Sequence, residues 1–252
     1  MEAIDLSLSI LLTLFLIAVL AGFIDTLVGG GGLITIPALL MCGMSPLSAL
    51  GTNKMQAVAG SGTASFMMLK RRRVNFDDVK ILMIYAFIGS LFGSVFVQYI
   101  NPGALQILIP IVIVVIALYF LFAPSASLEA TKPMVSEAKY RATAVPAIGC
   151  YDGMFGPATG SFFVLAGVSL RGQEVIHATA VAKTLNFATN IASLLVFLVY
   201  GKIVFIVAGV MMFGQLVGAN LGARYLLKIN PSVLRYLLVI MSFIMLLIWL
   251  LR

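Results

Sequence analysis

Long apolar runs alternate with short polar ones along the whole chain. Leu6–Ile24, Ile81–Ile100 and Leu234–Leu251 are almost free of charge, and each approaches the roughly 20 apolar residues that a helix needs to cross a bilayer. Two sets of five apolar segments can be read. The first is Leu6–Val28, Leu33–Gly43, Pro46–Leu69, Val79–Ile100 and Ala104–Phe122. The second is Ala142–Phe155, Ser161–Leu170, Val175–Tyr200, Val204–Leu227 and Ser232–Leu251. Between them, residues 123–141 hold two Pro, two Glu and three basic residues and read as a polar linker. The pattern predicts an all-α polytopic membrane protein: a first repeat over 1–122, a cytoplasmic linker over 123–141 and a second repeat over 142–252.

The two sets are copies of one unit. An offset of 127 lays Gly22, Asp25 and Gly29 on Gly149, Asp152 and Gly156. A two-residue loop change raises the offset to 129, and Lys54 then falls on Lys183, Gly89 on Gly218 and Gly93 on Gly222. Ile100-Asn101-Pro102 falls on Ile229-Asn230-Pro231, and Leu105 on Leu234. Glycine matches alone are cheap; an Asp, a Lys and an Ile-Asn-Pro match in register mark a duplication. In each copy the second segment is short: Leu33–Gly43 as a helix extends about 16 Å, half of a hydrocarbon core. Gly29–Gly32 precedes it, and Gly156-Pro157-Ala158 precedes its counterpart. The first two segments of each half are therefore expected to form a pair broken by irregular or re-entrant backbone, which is tolerated at membrane depth only inside protein or beside a wet cavity.

Composition agrees. Of 252 residues 62% are hydrophobic and 10% charged, against about 25% charged in a soluble domain, so no sizeable soluble domain is expected. Glu2 and Asp5 precede the first span, where a signal peptide would carry positive charge. The two cysteines, Cys42 and Cys150, fit neither a disulfide framework nor a metal site, and no cofactor is expected. The excess of 16 basic over 9 acidic residues sits mostly in short loops, the footprint of membrane orientation rather than of nucleic-acid binding. Lys70-Arg71-Arg72-Arg73 marks a cytoplasmic loop, so the loop at Asn101 lies outside and the linker with Lys132, Lys139 and Arg141 returns inside. Inverting the second half puts Arg171, Arg224, Lys228 and Arg235 inside and only Lys202 and Arg252 outside. The bias favours inverted repeats, with both chain ends outside.

Two lysines and two aspartates remain at membrane depth. Lys54 lies eight residues into its segment, about 12 Å deep, and Lys183 lies at a similar depth from the other face. Asp25 and Asp152 sit just before the glycine-rich breaks. Each such charge costs about 2.5–3.5 kcal/mol on insertion scales, and needs a partner, a wet cavity or a ligand. Pairing of each Lys with an Asp, fastening the halves together, is the bland explanation. Neighbouring polarity argues for more: Thr179, Lys183, Asn186, Asn190 and Ser193 form one helical stripe, and Lys54, Ser61 and Ser65 repeat it, with Thr52, Asn53 and Gln56 alongside. Short helices starting after Gly31-Gly32 and near Thr159-Gly160-Ser161 would aim N–H groups and positive dipole ends inward. With the two lysines they would make a positive pocket suited to a small oxyanion. Gly29–Gly32 lacks the Lys-Ser/Thr of a nucleotide loop.

These residues also carry a likeness. Gly22-Phe-Ile-Asp25, Gly29–Gly32 followed by Leu-Ile-Thr-Ile-Pro37, Gly51-Thr-Asn-Lys54, Tyr151-Asp152-Gly-Met-Phe-Gly156-Pro-Ala-Thr-Gly160-Ser161 and Ala182-Lys183-Thr-Leu-Asn186 resemble the sulfite exporter TauE/SafE family of permeases, closest to its YfcA-like subgroup. The resemblance spans essentially the whole chain. It implies a multi-pass transporter of the cytoplasmic (inner) membrane for sulfur-containing anions such as sulfite or organosulfonates.

The expected function is secondary-active transport of a small anion by alternating access between two inverted halves. Lys54, Lys183, Asn53, Thr52, Asn186, Asn190, Gly31, Gly32, Thr159, Gly160 and Ser161 would bind it, with Asp25 and Asp152 as charge partners or coupling groups. The alternative is a proton- or cation-coupled transporter of another organic solute that uses Asp25 and Asp152 as binding groups. An intramembrane enzyme built on Ser61 and His177 fails on depth, since a nucleophile and its base must touch. A channel would show rings of like charge. The expected partners are the bilayer and the anion, with a co-transported proton and an oligomer as open options and no nucleic acid.

Overall fold

A computed structural model describes residues 7–27, 29–122 and 131–225, together with Ile240 and Phe243. The segment Ser232–Leu251 apart from Ile240 and Phe243, the Ile229-Asn230-Pro231 match, Lys228, Arg235 and residues 123–130 of the linker lie outside the described residues. Within them the chain is helical: α1 (Leu8–Leu27), α2 (Gly32–Met41), α3 (Pro46–Lys70), α4 (Phe76–Gln98), α5 (Pro102–Phe122), α6 (Glu137–Ala142), α7 (Ala144–Met154), α8 (Thr159–Arg171), α9 (Val175–Val199) and α10 (Phe205–Tyr225). Helix α6 runs from the end of the span read as linker into the first residue of the second repeat, its start capped by the Ser136 hydroxyl, which accepts from the Lys139 N–H.

Helices α1, α4, α5 over Pro102–Tyr119, α9 and α10 are long and apolar enough to cross a membrane. Helix α3 matches α9 at 25 residues. It is less apolar because Thr52, Asn53, Lys54, Gln56, Ser61 and Ser65 all lie on it, buried. Ser45 caps its first turn and Pro46 opens it, a position where a missing N–H costs nothing. Outward-facing Leu12, Leu16, Phe92, Phe96, Ile107, Val115 and Phe213 are exposed. That much apolar surface suits lipid and not water. The protein is a multi-pass α-helical membrane protein.

The polar helices α3 and α9 cross at the centre. Gly51 of α3 lies against Phe197 of α9, and Gly62 against Phe187, so these two counterparts run antiparallel. Around them each half lends its first helix to the other: α1 packs on α10, and α7 on α4. The contacts repeat reciprocally. A Cβ on Gly93 would lie 1.9 Å from the Cys150 carbonyl oxygen, and one on Gly222 2.8 Å from the Phe23 carbonyl oxygen. Gly222 is the repeat counterpart of Gly93, and Phe23 that of Cys150.

Each short helix folds back beside the helix before it. The start of α1 and the end of α2 share one cluster, Leu14, Ala38, Leu39 and Met44. On the opposite side Tyr140, Val145, Phe163 and Ala166 bring together the α6–α7 start and the later part of α8. The turns of these two hairpins meet inside the bundle: a Cβ on Gly160 would lie 3.0 Å from the Gly29 Cα. Gly29, Gly156 and Ala158 take left-handed backbone, φ +89°, +93° and +61°. Basic residues collect at one end, where Arg71 donates to the Ala223 carbonyl at 3.3 Å and Arg171 to the Val135 carbonyl at 2.6 Å. At the other end the Tyr99 and Tyr200 hydroxyls stand 3.3 Å apart.

Candidate functional site

Both deep lysines reach across into the other half. The Lys54 ammonium donates to the main-chain carbonyl of Asp152 and stands 2.9 Å from its Oδ1. The Lys183 ammonium donates to the main-chain carbonyl of Asp25. Asp152 and Asp25 lie in the last turns of α7 and α1, where carbonyls lack intrahelical partners and the dipole end is negative. Each lysine thus caps a helix end belonging to the opposite repeat.

The carboxylates are not equivalent. Asp152 Oδ1 receives the Thr159 hydroxyl at 2.6 Å as well as Lys54, while its Oδ2 is buried without a partner in the protein. Asp25 Oδ1 instead accepts the Gly31 N–H at 3.0 Å, at the start of α2. The positive end of that helix stabilises the negative charge there.

Between these groups lies a small polar cavity of about 20 Å³, room for one or two water molecules. Asp25, Gly31, Gly32, Asn53, Lys54, Asp152, Thr159, Gly160, Asn186 and Asn190 line it. Three residues expected there stand aside. Thr52 accepts the Val204 N–H at 3.0 Å and ties α3 to the start of α10. Lys183 is spent on the Asp25 carbonyl. Ser161 is buried one residue beyond Gly160. The wall also includes Gly29, Gly156, Ala57 and Gln215. Gln215 was missed because a neutral amide raises no charge alarm, although a lone Gln between Gly214 and Gly218 in an apolar helix was a legible signal.

Other polar groups are consumed by packing. Asn53 Oδ1 accepts from the Thr35 hydroxyl at 2.6 Å and from Gln56 at 2.7 Å. Asn190 donates to the Asn186 carbonyl at 2.8 Å. Ser193 and Ser90 join α9 to α4, with hydroxyls 2.8 Å apart. The Ser61 hydroxyl turns back on the Ala57 carbonyl at 2.7 Å, and His177 is exposed in the first turn of α9.

A small polar cavity walled by the glycine-rich breaks between helices, inside a multi-pass bundle, is the kind of site a membrane transporter builds. Comparison with known proteins places this one: residues 14–248 match the model of the sulfite exporter TauE/SafE family, and the chain belongs to that family. It is 44% identical to a probable membrane transporter protein of Haemophilus influenzae over 96% of this chain and 94% of that one. It is 43% identical to the probable membrane transporter protein YfcA of Escherichia coli K12, over 92% and 86% respectively. A probable membrane transporter protein, ORF9, of a Sinorhizobium species is 40% identical over 94% and 91%. No solved structure matches.

Proposed function

We propose that the protein is a secondary-active permease of the cytoplasmic membrane for a small anion, sulfite or a sulfonate, working by alternating access between two inverted repeats. The observation that carries this reading is the crossed pair of buried lysines, each bridging to the break of the opposite half. A lysine held by a carbonyl, with or without a carboxylate, can exchange those acceptors for an oxyanion. Antiparallel packing of α3 on α9 supports inversion, as does the gathering of Lys70–Arg73, Arg171 and Arg224 at one end. The first amides of α2 and α8 supply further N–H donors beside Lys54.

The cavity of about 20 Å³ is smaller than sulfite, so the site has to widen to admit it. Alternating access would open this site to one face of the membrane at a time. The family relation supports a sulfur oxyanion or sulfonate as cargo. In proteoliposomes loaded for ³⁵S-sulfite flux, Lys183→Ala should reduce transport to the rate of protein-free vesicles; undiminished flux contradicts the site.

A further inference from the structure

From the inequivalence of the two aspartates we infer that Asp152 is the proton-coupling group of this permease, and that a monoanion crosses together with one proton. The inference rests on the anion-transport reading and adds its co-substrate. Lys54, Lys183, Asp25 and Asp152 form a cluster of zero net charge, buried apart from a half-buried Asp25. When Lys54 turns to an incoming anion, Asp152 loses its charge partner. Its remaining contact is the Thr159 hydroxyl, and its Oδ2 has no partner in the protein. A buried carboxylate left that way takes up a proton. The new O–H forms on Oδ2 with a proton drawn from the water on the side the anion enters. The cluster, now holding a monoanion and a proton, is neutral again. When Lys54 returns on the other side, that proton is released to water there.

The neighbours of Asp152 point to it rather than Asp25. Helix α4 presents Ser90 and Ser94, which do not titrate, bonded to the Thr189 and Gly153 carbonyls. Helix α8 presents Thr159. On α7 itself Tyr151 donates to the Pro157 carbonyl at 2.7 Å, and Cys150 turns its carbonyl to Gly93. Of the charges on α6 and at the start of α4, Glu137, Lys139, Asp77, Asp78 and Lys80 are exposed, and Arg141 is half-buried over the Tyr85 ring. From α9, Lys183 is engaged by the Asp25 carbonyl. Lys54 is therefore the one cation on Asp152 among the described residues. Asp25 keeps a main-chain N–H at a helix N-terminus whatever the lysines do.

Two measurements test this. The first needs no substrate: infrared spectra of purified Lys54→Met at neutral pH should show the carbonyl band of a protonated carboxyl. That band should be absent from the unmodified protein and from the double variant K54M/D152N. No such band, or one that survives D152N, overturns the assignment. The second is flux in proteoliposomes, with methanesulfonate as a monoanion that does not titrate. An acidic exterior should drive its accumulation at least tenfold above the no-gradient level, unaltered by a potassium potential set with valinomycin. Asp152→Asn should remove the response to the pH gradient. Flux that follows the electrical potential, or a pH response that survives D152N, overturns the coupling alone. Absence of both methanesulfonate and sulfite flux in the unmodified protein overturns the transport reading itself.

Discussion

At the scale of single residues, chemistry at membrane depth is legible because it is costly. Asp25, Lys54, Asp152 and Lys183 announce themselves in an apolar sequence for that reason. Their partners do not. Both lysines bind main-chain carbonyls of the other repeat, an acceptor present at every position and so invisible to any search for opposite charges. Thr52 and Ser161 share the neighbourhood of the site in sequence yet stand off the cavity, because spacing assigns a helix face without saying what that face meets. The packing glycines were legible as close approaches, and the structure shows how close. Gly93→Ala forces a methyl into the Cys150 carbonyl and should lower unfolding stability in detergent by about 1–3 kcal/mol. Gly209→Ala, with nothing within 4 Å of the new methyl, should leave stability unchanged or raise it by up to about 1 kcal/mol. Equal effects in a denaturant titration would contradict the packing described for α4 on α7.

At the scale of elements, the short α2 and α8 were visible as apolar runs half a membrane long behind glycine-rich breaks. Segment ends were legible too: Pro46 and the residues around Val175 open α3 and α9 where the sequence placed them. What the sequence could not supply is that the two breaks touch one another, since contacts of high sequence separation leave no periodic trace. Gly29 has φ +89° and faces Gly160 and Ser161. A side chain there meets both backbone strain, about 1–3 kcal/mol, and a neighbouring main chain. Gly29→Ala should therefore cost stability and stop sulfite flux together, as read by melting temperature and vesicle uptake. Full flux from a normally stable variant would show that the break need not be held as described.

At the scale of the whole molecule, Asp, Lys and Gly fall at matching offsets in the sequence, and the contacts of Gly93 with Cys150 and of Gly222 with Phe23 lie at those offsets. The bias of basic loops fixes a testable orientation. With Cys42 and Cys150 replaced, cysteines at Asn101 and Lys202 should react with an impermeant maleimide on intact cells, and one at Arg72 only after permeabilisation. The opposite pattern would invert the orientation, and labelling of all three from outside would dismantle it. The account as a whole turns on Lys54 giving up Asp152 to hold an anion. Equilibrium binding of sulfite to the purified protein, compared with Lys54→Gln, reads that exchange directly. Loss of a charge-assisted contact of about 1.5–3 kcal/mol predicts a Kd weaker by about 10- to 150-fold. An unchanged Kd would mean that the buried ammonium fastens the two halves and never meets the cargo.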